Sequence, residues 1–104
     1  RAMRMVFKYE VPIGDHVSIS LPKGAQILSA QVQRGTPCIW ALVDPDQPMV
    51  ERRFRFAGTG HAIKDDPMTL SFIDTFQMHG GDLVFHLFEI LSPEAVIVKT
   101  FKLW

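Results

Sequence analysis

Apolar and polar residues alternate with a period of two along most of this chain, as they do in strands with one face buried. Met5, Phe7 and Tyr9 alternate with Val6, Lys8 and Glu10, and after Pro12, Gly14 and Asp15 the alternation resumes at Val17, Ile19 and Leu21. Pro22-Lys23-Gly24 marks a turn, and Ala25 to Gln33 reads as a third strand with Leu28, Ala30 and Val32 facing inward. After the turn Arg34-Gly35-Thr36-Pro37, Cys38 to Val43 is apolar on both faces. That pattern fits a central strand covered on both sides, or a short buried helix. Asp44-Pro45-Asp46-Gln47-Pro48 is a loop, because its two prolines lack donors and restrict the residues before them. Val50 to Ala57 then places Arg52, Phe54 and Phe56 on one face and Glu51, Arg53 and Arg55 on the other, ahead of the loop Gly58-Thr59-Gly60-His61.

The run from Phe72 to Ile90 reads as two strands folded about Gly80-Gly81, since both central residues of a mirror-image turn need positive φ. A two-residue loop sets Met78 opposite Leu83, Phe76 opposite Phe85 and Thr75 opposite His86. Phe72, Phe76, Met78, Leu83, Phe85 and Leu87 then share one face, and Ile73, Gln77, Val84, His86 and Phe88 the other. Both faces are largely apolar, which predicts a hairpin central in a closed or double-layered fold. In the tail, Ser92-Pro93-Glu94 carries a helix cap signal, but Val96, Ile97, Val98 and Thr100 are β-branched and favour a strand. The expectation is a strand. About eight short strands separated by glycine and proline turns predict an all-β single domain, an antiparallel barrel or a two-sheet sandwich, over residues 3–104.

At 104 residues the chain has the size of one domain. Eleven basic residues balance eleven acidic ones, so no global field draws it to nucleic acid or to an anionic membrane. The longest apolar run is far short of the ~20 residues that cross a bilayer as a helix. The first residues lack the charged start and apolar core of a secretion signal; Arg1-Ala2 reads as a cloning remnant ahead of a natural start at Met3 or Met5. A single cysteine, Cys38, allows no internal disulfide and agrees with a cytoplasmic location.

Candidate chemistry is sparse. His16, His61, His79, His86 and Cys38 lack metal-ligand spacing. His79 and His86 share a hairpin face but are separated by about four steps of ~3.4 Å, too far for one zinc ion. His86 reads as a hydrogen-bonded scaffold histidine and Cys38 as a small hydrophobe. With no nucleophile elbow and no P-loop, no catalytic residue, metal or cofactor is expected, and an enzyme is the less favoured reading. The most suggestive polar group is Arg53 and Arg55 leading into Gly58, Thr59, Gly60 and His61. Guanidinium forks and glycine-loop amides together can hold an anion or nucleotide. Glu51 beside these arginines also fits a solvated strand face. The aromatic residues could stack bases, but without a basic groove core packing is favoured. Trp104, with Phe101 and Leu103, reads as a sheet-closing strand or a partner anchor.

The segments LPKGAQILSAQVQRGTPCIWALVDP, RRFRFAGTGH and DTFQMHGGDLVFHLFEI resemble a family of small bacteriophage and bacterial proteins known only as a domain of unknown function. The resemblance covers about residues 5–90, leaving 91–104 as a C-terminal extension. It implies a phage or prophage accessory protein, in the host cytoplasm if phage-encoded, with no catalytic residue to carry over. The expected function is non-enzymatic binding of another macromolecule, such as a host protein, through a strand edge or apolar patch. A nucleotide- or anion-sequestering protein using Arg53, Arg55 and His61, and a minor virion or assembly component forming homo-oligomers, are the alternatives.

Overall fold

The computed structural model describes residues 3–101; Arg1, Ala2, Lys102, Leu103 and Trp104 lie outside the described residues, and with them the sequence reading of Trp104. Seven strands follow one another along the chain: β1 (Met5–Glu10), β2 (His16–Pro22), β3 (Gln26–Gln33), β4 (Thr36–Val43), β5 (Met49–Gly58), β6 (Leu70–Met78) and β7 (Leu83–Ile90). A helix, α1 (Pro93–Phe101), follows them. The strands form two antiparallel sheets, one of order β1-β4-β3 and one of order β2-β5-β7-β6. The fold is therefore the sandwich form of the predicted all-β domain. No helix among the described residues is long and apolar enough to cross a membrane.

The core lies between the sheets, with Leu21, Ile39, Val43, Phe54 and Leu87 fully buried. Phe56 meets Phe76 and Phe85 edge-on, with ring centroids 6.1 and 5.8 Å apart, the arrangement favoured by the aromatic quadrupole. β4 is central in its sheet, as its continuous apolar run predicts, but it is covered on one side only: Ile39, Ala41 and Val43 are buried, whereas Trp40 and Leu42 on the outer face are half-buried. At one end of the inner face, Arg52 grips Glu89 through two hydrogen bonds of 2.5 and 2.8 Å and donates a third to the Ala25 carbonyl at 2.5 Å.

Two β-bulges correct the predicted faces. β3 shifts register between Ile27 and Ser29, so Ile27 packs on the core and Leu28 turns outward, 47% exposed. β6 shifts between Phe72 and Asp74, so Ile73 packs inward and Phe72 swings out beside Phe88. An extra residue on one strand inverts every side chain beyond it, which uniform alternation cannot foresee. Both bulges lie on edge strands that approach each other across the sandwich. There the Asp74 carboxylate accepts from the Ala30 N–H at 3.2 Å and from Gln31 Nε2 at 3.1 Å, satisfying an edge donor of one sheet from the other. Only β7 of the predicted central hairpin is interior; β6 is an edge strand.

The hairpin turn follows from Gly80-Gly81. Both glycines have positive φ, 66° and 98°, and the Asp82 N–H closes the turn on the His79 carbonyl at 3.2 Å. The predicted register holds from Asp74–Leu87 to Met78–Leu83. The tail, in contrast, is a helix and not the expected strand. Ser92 caps it, accepting from the Ala95 N–H at 3.2 Å, with Pro93 in the first turn. β-Branched propensity is worth only tenths of a kcal/mol per residue and yields to a cap in a segment with no neighbouring strand. Urea denaturation should separate these positions: Phe54→Ala is expected to cost about 3–5 kcal/mol, Leu28→Ala to stay within about 0.5, and Ile27→Ala to fall between them.

Candidate functional site

On the outer face of the four-stranded sheet, cross-strand register places four residues in one row. His16 of β2 is opposite Arg55 of β5, Arg55 is opposite Phe88 of β7, and Phe88 is opposite Phe72 of β6. The segment linking β5 to β6 folds back over this row and buries Arg55 to 7% exposure. A buried guanidinium has to be paired and hydrogen-bonded. Asp65 supplies the carboxylate, accepting from Arg55 Nε at 3.0 Å, while Nη1 donates to the carbonyls of Phe56 and Asp15. The Asp15 carboxylate lies 3.7 Å from Nη1. The second oxygen of Asp65 meets His16 Nε2 at 2.9 Å. The hydrogen bond from His16, followed by that from Arg55, holds the Asp65 carboxyl below the usual carboxylate range.

Above this ionic floor the row opens into a groove of about 550 Å³ walled by Ile63, Pro67, Leu70, Phe72 and Phe88. Phe72 is 59% exposed and contacts Phe88 edge-on at 5.6 Å. Its far wall is held by a 3₁₀ turn at Pro67–Thr69, capped where Asp66 accepts from the Met68 N–H at 2.9 Å. The Leu91 N–H donates to the Thr69 carbonyl at 2.7 Å and ties that wall to the end of β7. The groove is thus framed by hydrogen-bonded segments and largely apolar, with its charges paired to one another beneath it.

The six residues singled out in the sequence occupy three environments. Arg55 is spent in the buried pair. Arg53 is exposed and borders a separate groove of about 650 Å³ shared with Lys23, Glu51 and Glu94, where charges of both signs mix. Gly58, Thr59, Gly60 and His61 come together in one turn, closed by the His61 N–H on the Gly58 carbonyl at 3.0 Å. The Thr59 N–H is likewise used, on the Val84 carbonyl at 3.2 Å. The His61 ring lies against Gly58, where a Cβ would come within 2.9 Å of Nδ1. Thr59 Oγ1 also bonds His86 Nε2 at 2.7 Å, and Thr75 Oγ1 bonds Nδ1 at 2.8 Å. His86 is therefore a pin between the turn and the sheet, with both nitrogens occupied.

Sequence reasoning missed His16, Asp65, Phe72 and Phe88 as neighbours of Arg55. They come from four separate segments, and Phe72 joins them only because of the bulge. The one local signal was Asp65-Asp66-Pro67, a paired acid and turn facing a strand rich in arginine. Among the described residues, no three histidine, cysteine or carboxylate side chains gather as metal ligands do.

Fold and site together define an antiparallel β-sandwich presenting an apolar groove over a closed ion-pair network. The chain belongs to the family described as Domain of unknown function (DUF7352), whose model matches residues 3–97 and so includes the first part of α1. No curated protein and no solved structure matches it.

Asp65→Asn should cost about 3 kcal/mol near neutral pH, because Arg55 stays buried without its counter-charge. Because the folded-state value of Asp65 is depressed, its contribution is complete above the unfolded carboxyl value of about 4 and is lost as pH falls through the lower folded value. The stability gap between wild type and Asp65→Asn, followed by urea denaturation, should therefore narrow on acidification below about pH 4.

Proposed function

We propose that this protein is a non-enzymatic binding module that receives a short segment of a partner protein in the groove between Phe72 and Ile63. The observation that carries the reading is the exposed Phe72, set edge-on against the half-buried Phe88 and facing an apolar wall held by its own hydrogen bonds. An apolar groove of this volume has room for a short segment that inserts an aromatic or aliphatic anchor together with its neighbouring side chains, the kind of contact that dominates protein recognition. The committed charges below favour apolar capture over ion binding, since Arg55 already holds a carboxylate and two carbonyls. The amides of Thr59 and His61 are likewise occupied, which gives a nucleotide or anion ligand less to engage. The resemblance to small phage and bacterial proteins supports a role as an accessory factor that acts on a host protein.

Affinity capture from bacterial lysate, run in parallel with wild type and Phe72→Ser, tests this. Phe72 lies on an edge strand and outside the core, so the variant should keep its fold, checked by circular dichroism. The expected result is one identified protein retained by wild type and reduced at least roughly tenfold by the variant, as for loss of a central aromatic anchor. Identical capture by both proteins would reject the groove as the binding surface.

A further inference from the structure

Four strand edges bound the two sheets, and three of them are blunted. β3 and β6 carry bulges and are joined through Asp74. β2 alternates small polar residues and ends in Pro22. β1 has neither bulge nor proline: its register with β4 runs without interruption from Met5 to Glu10, and its guards are the charges of Lys8 and Glu10, which an oppositely charged partner strand can satisfy. Such an edge is a template for another strand.

The direction of its hydrogen-bonding groups follows from one bond. The Val11 N–H donates to the Pro37 carbonyl at 2.9 Å, which extends the β1–β4 ladder by one step. In an antiparallel ladder alternate residues bond the same neighbour. Met5, Phe7 and Tyr9 therefore turn their N–H and C=O groups to β4, and Val6, Lys8 and Glu10 turn theirs to the open edge, as does Arg4 if the alternation is continued. The odd residues belong to the inner face, yet Met5 and Phe7 remain 43% and 38% exposed. The opposite sheet does not reach over them, which leaves room beside this edge.

We propose that the open edge of β1 pairs with β1 of a second copy in an antiparallel, two-fold arrangement centred on Phe7. Charge and overlap together select that register; centring on Tyr9 would also set Lys8 against Glu10, but it would pair only Lys8 to Glu10 within β1 and bring Pro12, which has no N–H, opposite Val6. Outward-facing groups must meet outward-facing groups, so the strand can slide only in steps of two. Centred on Phe7, Arg4 stands opposite Glu10 of the second copy at both ends, and Val6 opposite Lys8. Centred on Val6, Arg4 would face Lys8; centred on Lys8, the two lysines would face each other. Both shifts place like charges directly opposite, which destabilises a cross-strand pair. Neither Arg4 nor Glu10 forms an ion pair among the described residues, so both charges are available. In this register Phe7 meets Phe7 at the two-fold axis in a non-hydrogen-bonded pair, where side chains approach most closely. Met5 meets Tyr9 on either side, and the two three-stranded sheets become one sheet of six.

Sedimentation velocity over two decades of protein concentration tests the pairing, with three variants. Wild type is expected to shift from monomer to dimer. Val6→Pro removes an outward N–H that the monomer does not use and should abolish the shift with the fold intact by circular dichroism. Glu10→Arg should weaken dimerisation roughly tenfold or more, since two opposite-charge pairs become like-charge pairs. The Arg4→Glu/Glu10→Arg double variant restores opposite charges and should recover the dimer. A wild type that stays monomeric, a dimer that tolerates Val6→Pro or Glu10→Arg, or a double variant no better than Glu10→Arg overturns the proposal. Because none of these residues lines the Phe72 groove, the outcome is independent of partner capture there.

Discussion

Burial of the Arg55 guanidinium is the constraint from which the outer face of the molecule follows. A guanidinium cannot be neutralised in a protein, so a site that hides it has to supply a carboxylate and carbonyls in fixed positions. Asp65 meets that demand only if the segment after β5 crosses back over the sheet, and His16 locks the second carboxylate oxygen. The path of that segment sets Ile63 and Pro67 opposite Phe72 and Phe88, and so makes the groove. The ion pair lies beneath the groove and fixes the path of the segment that forms one of its walls.

The sheet edges show a second economy of polar groups. A seven-stranded sandwich has four edges, and each exposes backbone donors and acceptors. Bulges at Leu28 and Ile73 bend two of them toward each other until a single carboxylate, Asp74, can serve the backbone of the opposite sheet. The Ile73 bulge also moves Phe72 from the core to the surface. One inserted residue thus couples closure of the sandwich to the aromatic lip of the groove. β1 has no bulge, and its exposed apolar residues stand apart from the groove on the other sheet.

Polar side chains that resemble chemistry in the sequence are engaged in holding loops. His86 is bonded at both ring nitrogens by threonines, and the glycine turn it pins uses its amides within the fold. The two surfaces differ in kind: the groove offers side-chain complementarity, and the β1 edge offers backbone hydrogen bonds.

Much of the fold was legible because local physics governs it. Period-two alternation located β1, β2, β3 and β5, the apolar run Cys38 to Val43 fitted a central strand, and Gly80-Gly81 determined the turn and the first five pairs of its hairpin. The helix cap at Ser92 was also visible, though β-branched residues outweighed it in the reading. Tertiary structure decided what depends on contacts between distant segments. The bulges arise where two sheet edges must converge, so no alternation within β3 or β6 predicts that Leu28 and Phe72 face out. Arg55 reads as a solvated strand residue until Asp65, ten positions later, folds over it. Period and turn chemistry are encoded residue by residue, whereas burial of a charge and the face of a side chain beyond a bulge are properties of the packed whole.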